Sequence, residues 1–190
     1  MKILVVDACT SDNSRTRALT KYLLTKLNGD IQTVYLTENK PGALDKKTLS
    51  KRDNAVKNND FSDKMFDFAK QFKSADTVIF AAPYWDLSFP SVLKQYIEQI
   101  NVCGLTFEYT RSGMPKSLSN VKRFIYVTTA GGYIVSDELG YGYIKNVMQL
   151  FYEVSDSAYI KAEGLDIYGN NVGEILKKAK TDIDNISGCR

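Results

Sequence analysis

Three stretches of the chain combine residue types that could hold an anionic, flat ligand. The first, Asp7 to Arg17, reads D-A-C-T-S-D-N-S-R-T-R and sets the hydroxyls of Thr10, Ser11, Ser14 and Thr16 beside Arg15 and Arg17. Ser14 is a natural N-cap for a helix starting here, so free backbone N–H groups would join the hydroxyls and a guanidinium in a set suited to a phosphate monoester. Two arginines in a first helical turn oppose the helix dipole, and a bound phosphate would resolve that conflict. The alternative is an ordinary cap with its arginines in solvent. The chain has no G-x-x-x-x-G-K-[ST] motif and no G-x-G-x-x-G after its first strand. A mononucleotide phosphate therefore fits better than a Walker-type site or a dinucleotide bound in the Rossmann manner.

The second stretch, Ala81 to Ile97, reads A-A-P-Y-W-D-L-S-F-P-S-V-L-K-Q-Y-I and places aromatic side chains on a proline-bounded loop between a buried strand and a helix. Pro90 can open that helix at its first position, where a missing N–H costs nothing. A planar ligand could lie on such a loop; alternatively, Tyr84, Trp85, Leu87 and Phe89 plug the core. The third stretch, T-T-A-G-G-Y at Thr128 to Tyr133, puts Gly131 and Gly132 where the backbone must turn sharply or approach a ligand closely. Their amides could donate to carbonyl oxygens on a ring.

What is missing narrows the chemistry. There is no histidine in the 190 residues. That removes Ser-His-Asp and Cys-His machinery, His-containing zinc sites and the usual general base near neutral pH, so hard chemistry would belong to a cofactor. No catalytic residue and no metal ligand is singled out. Cys9, Cys103 and Cys189 are widely spaced and form no CxxC pair, which fits unpaired thiols in a reducing compartment. A net charge of +3, spread along the chain, gives no footprint for nucleic acid. No segment approaches the ~18 apolar residues of a membrane span or a signal-peptide core. The expectation is one cytoplasmic domain over residues 1–190.

The elements that must position the three loops follow from periodicity. Strands are expected over Lys2 to Asp7, Ile31 to Leu36, Thr77 to Ala82, Phe124 to Thr129 and within Ala158 to Ile167. Helices are expected over Ser14 to Leu27, ended by Asn28-Gly29, and over Phe61 to Phe72, Pro90 to Ile100, Leu139 to Tyr152 and Val172 to Ile186. Thr106 to Tyr109 reads as a short extended piece. Thr37 to Asp60 reads as a basic, solvated excursion with a short helix around Leu44 to Val56. Strands alternating with helices predict an α/β fold, a parallel sheet covered on both faces. All three loops follow strands, where ligands of such sheets bind.

Together these segments resemble the flavodoxin-like family of FMN-dependent NAD(P)H quinone reductases and NADH azoreductases. The likeness rests on Ser14-Arg15-Thr16, P-Y-W-D-L-S-F-P-S-V-L-K-Q-Y-I, G-L-T-F-E-Y-T at Gly104 to Thr110, and T-A-G-G. It implies a three-layer flavodoxin-like sandwich with a five-stranded sheet of order 2-1-3-4-5. It implies FMN as cofactor, with Cys9, Thr10, Ser14, Arg15 and Thr16 around the phosphate. Pro83, Tyr84, Trp85, Asp86 and Leu87 would line the isoalloxazine, and Thr129, Ala130, Gly131 and Gly132 would meet its pyrimidine side. Phe107, Tyr109 and Tyr133 become candidate walls for a flat substrate. Hydride would pass from NADH or NADPH through the flavin to a quinone, azo or nitro acceptor, and a homodimer with flavins at its interface is implied.

Two positions depart from the family pattern. Cys9 stands about where relatives often carry serine, although its backbone N–H could serve instead. Asp86 replaces the asparagine of azoreductase-like relatives, and an ionised carboxylate near the ring disfavours anionic reduced flavin. Without histidine, protons must come from water, Tyr84, Tyr133 or other hydroxyls. An electron-carrying flavodoxin, an FMN reductase and a flavin-free interaction protein on the same fold remain open. Against the carrier, the chain is mildly basic and lacks a T-x-T-G-x-T-type turn.

Overall fold

A computed structural model describes residues 1–188, with side chains to 186; Cys189 lies outside the described residues. Five strands form one parallel sheet: β1 (Lys2–Asp7), β2 (Asp30–Tyr35), β3 (Thr77–Ala81), β6 (Arg123–Thr129) and β7 (Asp156–Ala162). Their order is β2-β1-β3-β6-β7, which is 2-1-3-4-5 when only the strands of this sheet are counted. Two further short strands, β4 (Phe107–Tyr109) and β5 (Pro115–Ser117), make a separate antiparallel hairpin.

Period-two alternation divides the sheet's side chains between two cores. Leu4 and Val6 of β1, Val78 and Phe80 of β3, and Phe124 and Tyr126 of β6 face α3 (Asp67–Ser74), α4 (Ser91–Ile100) and α5 (Tyr141–Tyr152). Ile3 and Val5, Ile79, and Ile125 and Val127 face α1 (Arg15–Leu24) and α6 (Val172–Gly188). The three layers are thus helix, sheet and helix. Among the described residues no helix is long and apolar enough to cross a membrane.

The differences from the sequence reading are local and have local causes. α1 stops at Leu24 rather than Leu27, because the N–H groups of Thr25, Lys26 and Leu27 bond three residues back and tighten the last turn. The helix expected from Phe61 begins as a 3-10 turn at Lys64–Phe66 and becomes α-helical only at Asp67. There Asp60 accepts from Ser62 and Asp63 from Met65, side-chain bonds that compete with the helix backbone. β2 lies at the sheet edge, and its first three residues are exposed.

The basic excursion forms α2 (Lys46–Lys57), capped by Asp45, which accepts from Thr48. Arg52 donates to the Glu98 and Asn101 carbonyls at the C-terminal end of α4, and Lys51 pairs with Asp63. The loop carrying Trp85 lies at the other end of α4, about 15 Å away for ten residues. These two cations therefore serve the end of the sheet remote from that loop.

Candidate functional site

The carboxyl ends of β1, β3 and β6 open on a cavity of about 490 Å³. It is lined by Thr10, Ser11, Asn13, Ser14, Arg15, Pro83, Tyr84, Trp85, Thr129, Ala130, Gly131 and Asp166. The parallel register brings the three loops together: Asp7 pairs with Ala81 and Ala81 with Val127, so the loops after β1, β3 and β6 leave the sheet side by side.

The loop after β1 is organised by two buried or half-buried charges. Asp7, 2% exposed, accepts the Cys9 N–H at 2.8 Å through Oδ1. Arg17 donates from Nε to Asp7 Oδ2 at 2.7 Å and from Nη2 to the Cys9 carbonyl at 2.7 Å; its Nη1 reaches the Ser11 carbonyl at 3.2 Å. The bond to Asp7 holds Arg17 further toward its charged form. Its guanidinium also lies 5.5 Å from the Tyr35 ring centroid. The carbonyls of Cys9 and Ser11 are thus turned toward a cation. Among the described residues the backbone N–H groups of Thr10, Ser11, Asp12, Arg15 and Thr16 have no acceptor. Ser14 caps α1 by accepting from the Arg17 N–H.

The two arginines of the first turn are both paired within the chain, so neither is a free guanidinium in solvent, and of the two Arg15 lines the cavity while Arg17 does not. Arg17 is held by Asp7, and Arg15 Nη1 meets Asp166 Oδ1 at 2.7 Å on the cavity wall. Cys9 also departs from expectation. It is fully buried, its Sγ faces the Ala81 carbonyl, and its N–H is taken by Asp7, so neither thiol nor amide lines the cavity. Burial is the main cause that pushes its thiol pKa up to about 12. Iodoacetamide applied to the folded protein at pH 8 should therefore leave Cys9 unmodified, and mass spectrometry should find label there only after unfolding.

Thr16 is buried too and faces the sheet, where its Oγ1 lies 2.7 Å from Thr129 Oγ1. It fastens the first loop to the third.

The loop after β3 is anchored by the Tyr84 N–H, which donates to the Thr129 carbonyl at 2.9 Å. Trp85 and Ser88 exchange backbone bonds of 3.0 and 2.8 Å, closing a two-residue turn with positive φ at Asp86 (47°) and Leu87 (70°). Such a turn favours Asn-Gly, so Leu87 stores strain beside the cavity. Leu87→Gly should raise stability by about 1 kcal/mol in urea unfolding, because Leu87 is half exposed and surrenders little packing.

Trp85 is 47% exposed, so the aromatic loop as a whole is not a core plug; Phe89 turns inward, against Tyr143 at 5.7 Å. Asp86 lines an adjoining groove of about 380 Å³ that shares Thr10 and Trp85, and Leu87 lines neither. The Tyr84 hydroxyl is buried and has no partner among the described residues.

The loop after β6 runs against the segment after β7. Ala130, Gly131 and Gly132 give their carbonyls to Leu165, Asp166 and Gly164, leaving the Gly131 and Gly132 N–H groups without acceptors among the described residues. Neither glycine has positive φ, so the expected sharp turn is not their reason for being glycine. At Gly131 a Cβ would stand 2.4 Å from Asp166 Oδ2, so the exposed Asp166 carboxylate would have to swing aside to admit one. Gly132 does not line the cavity.

Of the candidate walls, Phe107 is 5% exposed and packs edge-on against Phe151 of α5 at 4.9 Å. It sits at the base of the β4–β5 hairpin, where the helix covers it, and is a core residue rather than a wall of this cavity. Tyr109, nearer the hairpin tip, and Tyr133 are exposed but do not line the cavity. Asp166 and Asn13 are the lining residues that the sequence reading did not include as contacts, whereas Ser11, one of its hydroxyl donors, does line the cavity. The surplus of cations in the first turn was the available signal for Asp166.

A family model described as flavodoxin-like fold matches residues 1–185. An FMN-dependent NADH:quinone oxidoreductase of Clostridium perfringens (strain SM101 / Type A) is 38% identical over 133 residues, 70% of this chain and 65% of that protein. The match thus spans just under two thirds of that relative's length. Among solved structures, the azoreductase from Bacillus anthracis str. Sterne superposes with a TM-score of 0.85 at 22% identity, covering 98% of each chain. An FMN-dependent NADH-azoreductase from Bacillus anthracis str. Ames Ancestor, solved in complex with FMN, gives 0.82 at 22% identity, covering 98% of this chain and 97% of that one. With nearly its whole length matched and its strand order that of the fold, the chain belongs to the flavodoxin-like fold family.

Proposed function

We propose that the protein is an FMN-dependent NADH:quinone or azo-compound oxidoreductase. One observation carries the proposal: the acceptor-free amides of Thr10, Ser11 and Arg15 from the first loop and of Gly131 from the third belong to residues lining one cavity, beside hydroxyls, the Arg15 guanidinium and an exposed tryptophan. That donor set fits FMN at both of its polar ends. The Thr10, Ser11 and Arg15 amides and the Ser14 hydroxyl would hold the phosphate at the α1 N-terminus. Pro83, Tyr84 and Trp85 would flank the ring, and the Gly131 amide would donate to its pyrimidine edge. The names of the C. perfringens and B. anthracis relatives, which specify NADH, FMN and quinone or azo chemistry, support the same reading.

When bound, FMN supplies hydride acceptance from the nicotinamide and electron delivery to the second substrate. The chain's part is binding, orientation and electrostatics. Neutral donors at the pyrimidine edge favour negative charge developing there, and preorganised amides do so without reorienting. Asp86, one turn away, works in the opposite sense. Tyr133, exposed on the loop after Gly132, is the hydroxyl placed to exchange protons with solvent; that of Tyr84 is sealed inside.

Trp85, Leu87, Tyr133, Val135 and Leu139 all expose apolar surface on the loops at this end of the sheet. We infer that a second copy covers this rim, giving a homodimer. Cys9 and Cys103 are both free, consistent with a reducing cytoplasm.

The test is anaerobic. Protein loaded with FMN should lose its yellow absorbance on adding NADH and regain it on adding a quinone. A protein that binds FMN but is not bleached by NADH would be an electron carrier instead. One that never takes up FMN would be an interaction protein on this fold.

A further inference from the structure

The Arg15–Asp166 pair is not required to build the loop on which the cavity depends. Arg17 and Asp7 order that loop by themselves, and Ser14 caps the helix. Arg15 is the other cation of the first turn, and at 2.7 Å its guanidinium is occupied by a carboxylate brought from the segment after β7. The chain provides for this contact: a side chain on Gly131 would collide with Asp166 Oδ2, and the Asp166 N–H donates to the Gly131 carbonyl at 2.9 Å. Both partners line the cavity that holds the free amides, and both are partly exposed. A phosphate arriving at those amides therefore meets an arginine already neutralised and a second anion beside it.

We propose that Asp166 is a specificity-setting positioning residue that competes with the ligand's phosphate for Arg15 and so keeps phosphate affinity low. The proposal rests on the FMN reading of the cavity. Its consequence is that the phosphate contributes less to binding than the donor set allows, leaving a flavin mononucleotide exchangeable. In Asp166→Asn the backbone bond to Gly131 is retained and only the charge is lost, so the exposed segment should keep its fold.

Apoprotein is titrated with FMN and with riboflavin, following flavin fluorescence, and with inorganic phosphate, following backbone amide resonances. Asp166→Asn should tighten FMN about tenfold, the size expected for removing one charge from a partly screened site. Phosphate should tighten in parallel, riboflavin should move less than about twofold, and the gain should fade as salt rises. In an Arg15→Gln background the gain should drop below about threefold, because the competition acts through Arg15. Equal shifts for FMN and riboflavin, weaker phosphate binding, or an undiminished gain without Arg15 would overturn the proposal. If the wild-type protein takes inorganic phosphate at these amides but neither flavin, the cofactor reading falls, and the phosphate titrations alone decide the competition.

Discussion

Arg17→Met should lower unfolding stability by about 3–5 kcal/mol and remove phosphate-dependent flavin binding with it. The substitution leaves the Asp7 carboxylate at the end of β1, 2% exposed, with the Cys9 N–H as its remaining hydrogen-bond donor. A buried charge stripped of its partner costs far more than an exposed pair contributes. The carbonyls of Cys9 and Ser11 lose their common donor as well. The Cys9 carbonyl is then free to rotate toward the cavity, while that of Ser11 keeps the Ser14 N–H as donor. Urea unfolding measures the first effect. The second appears as a loss of discrimination between FMN and riboflavin in a fluorescence titration performed without denaturant. The double variant Asp7→Asn with Arg17→Met keeps an acceptor for the Cys9 N–H and removes the orphaned charge, so it should recover roughly half of the lost stability. A single variant as stable as wild type would show that the pair does not organise the loop.

Gly131→Val should reduce FMN affinity by more than about 100-fold while leaving the fold intact, a loss within the usual cost of overpacking. Gly131 has ordinary φ, so valine strains no backbone. The obstacle is space: even the first carbon would lie 2.4 Å from Asp166 Oδ2. Asp166 can swing out, but the branched methyls then occupy the cavity beside Ala130 and Trp85. Calorimetry should find no bound flavin, and circular dichroism should match wild type. Retained affinity would place the ring elsewhere than between the second and third loops.

Much of the fold was legible because strand and helix periods are local properties of the chain. Runs such as Ile3 to Val6 and Val78 to Ala81 state their own burial, and strict alternation with helices dictates parallel pairing. The first and third loops were legible as clusters of hydroxyls, arginines and glycines. The failures have a common physical origin, in partners distant along the chain. Arg15 and Asp166 are 151 residues apart, and they meet because the sheet order places β7 beside β6, β6 beside β3 and β3 beside β1. Phe107 reads as a candidate wall until α5 is known to cover it through Phe151. Cys9 resembles a ligand contact in sequence because residue order does not reveal that Asp7 turns back to take its N–H. The 3-10 start before α3 was hidden by two aspartates whose side chains compete with helical bonding, an effect that helical periodicity does not register.

If amides from separate loops converge on one phosphate and one ring, backbone amide NMR of the apoprotein during FMN addition will register both contacts at once. The resonances of Thr10, Ser11, Arg15 and Gly131 should shift together along one saturation curve. Those of Lys51 and Arg52, at the far end of α4, should stay in place. Shifts confined to other surfaces, or first-loop amides that respond while Gly131 does not, would rule out a shared site for phosphate and ring.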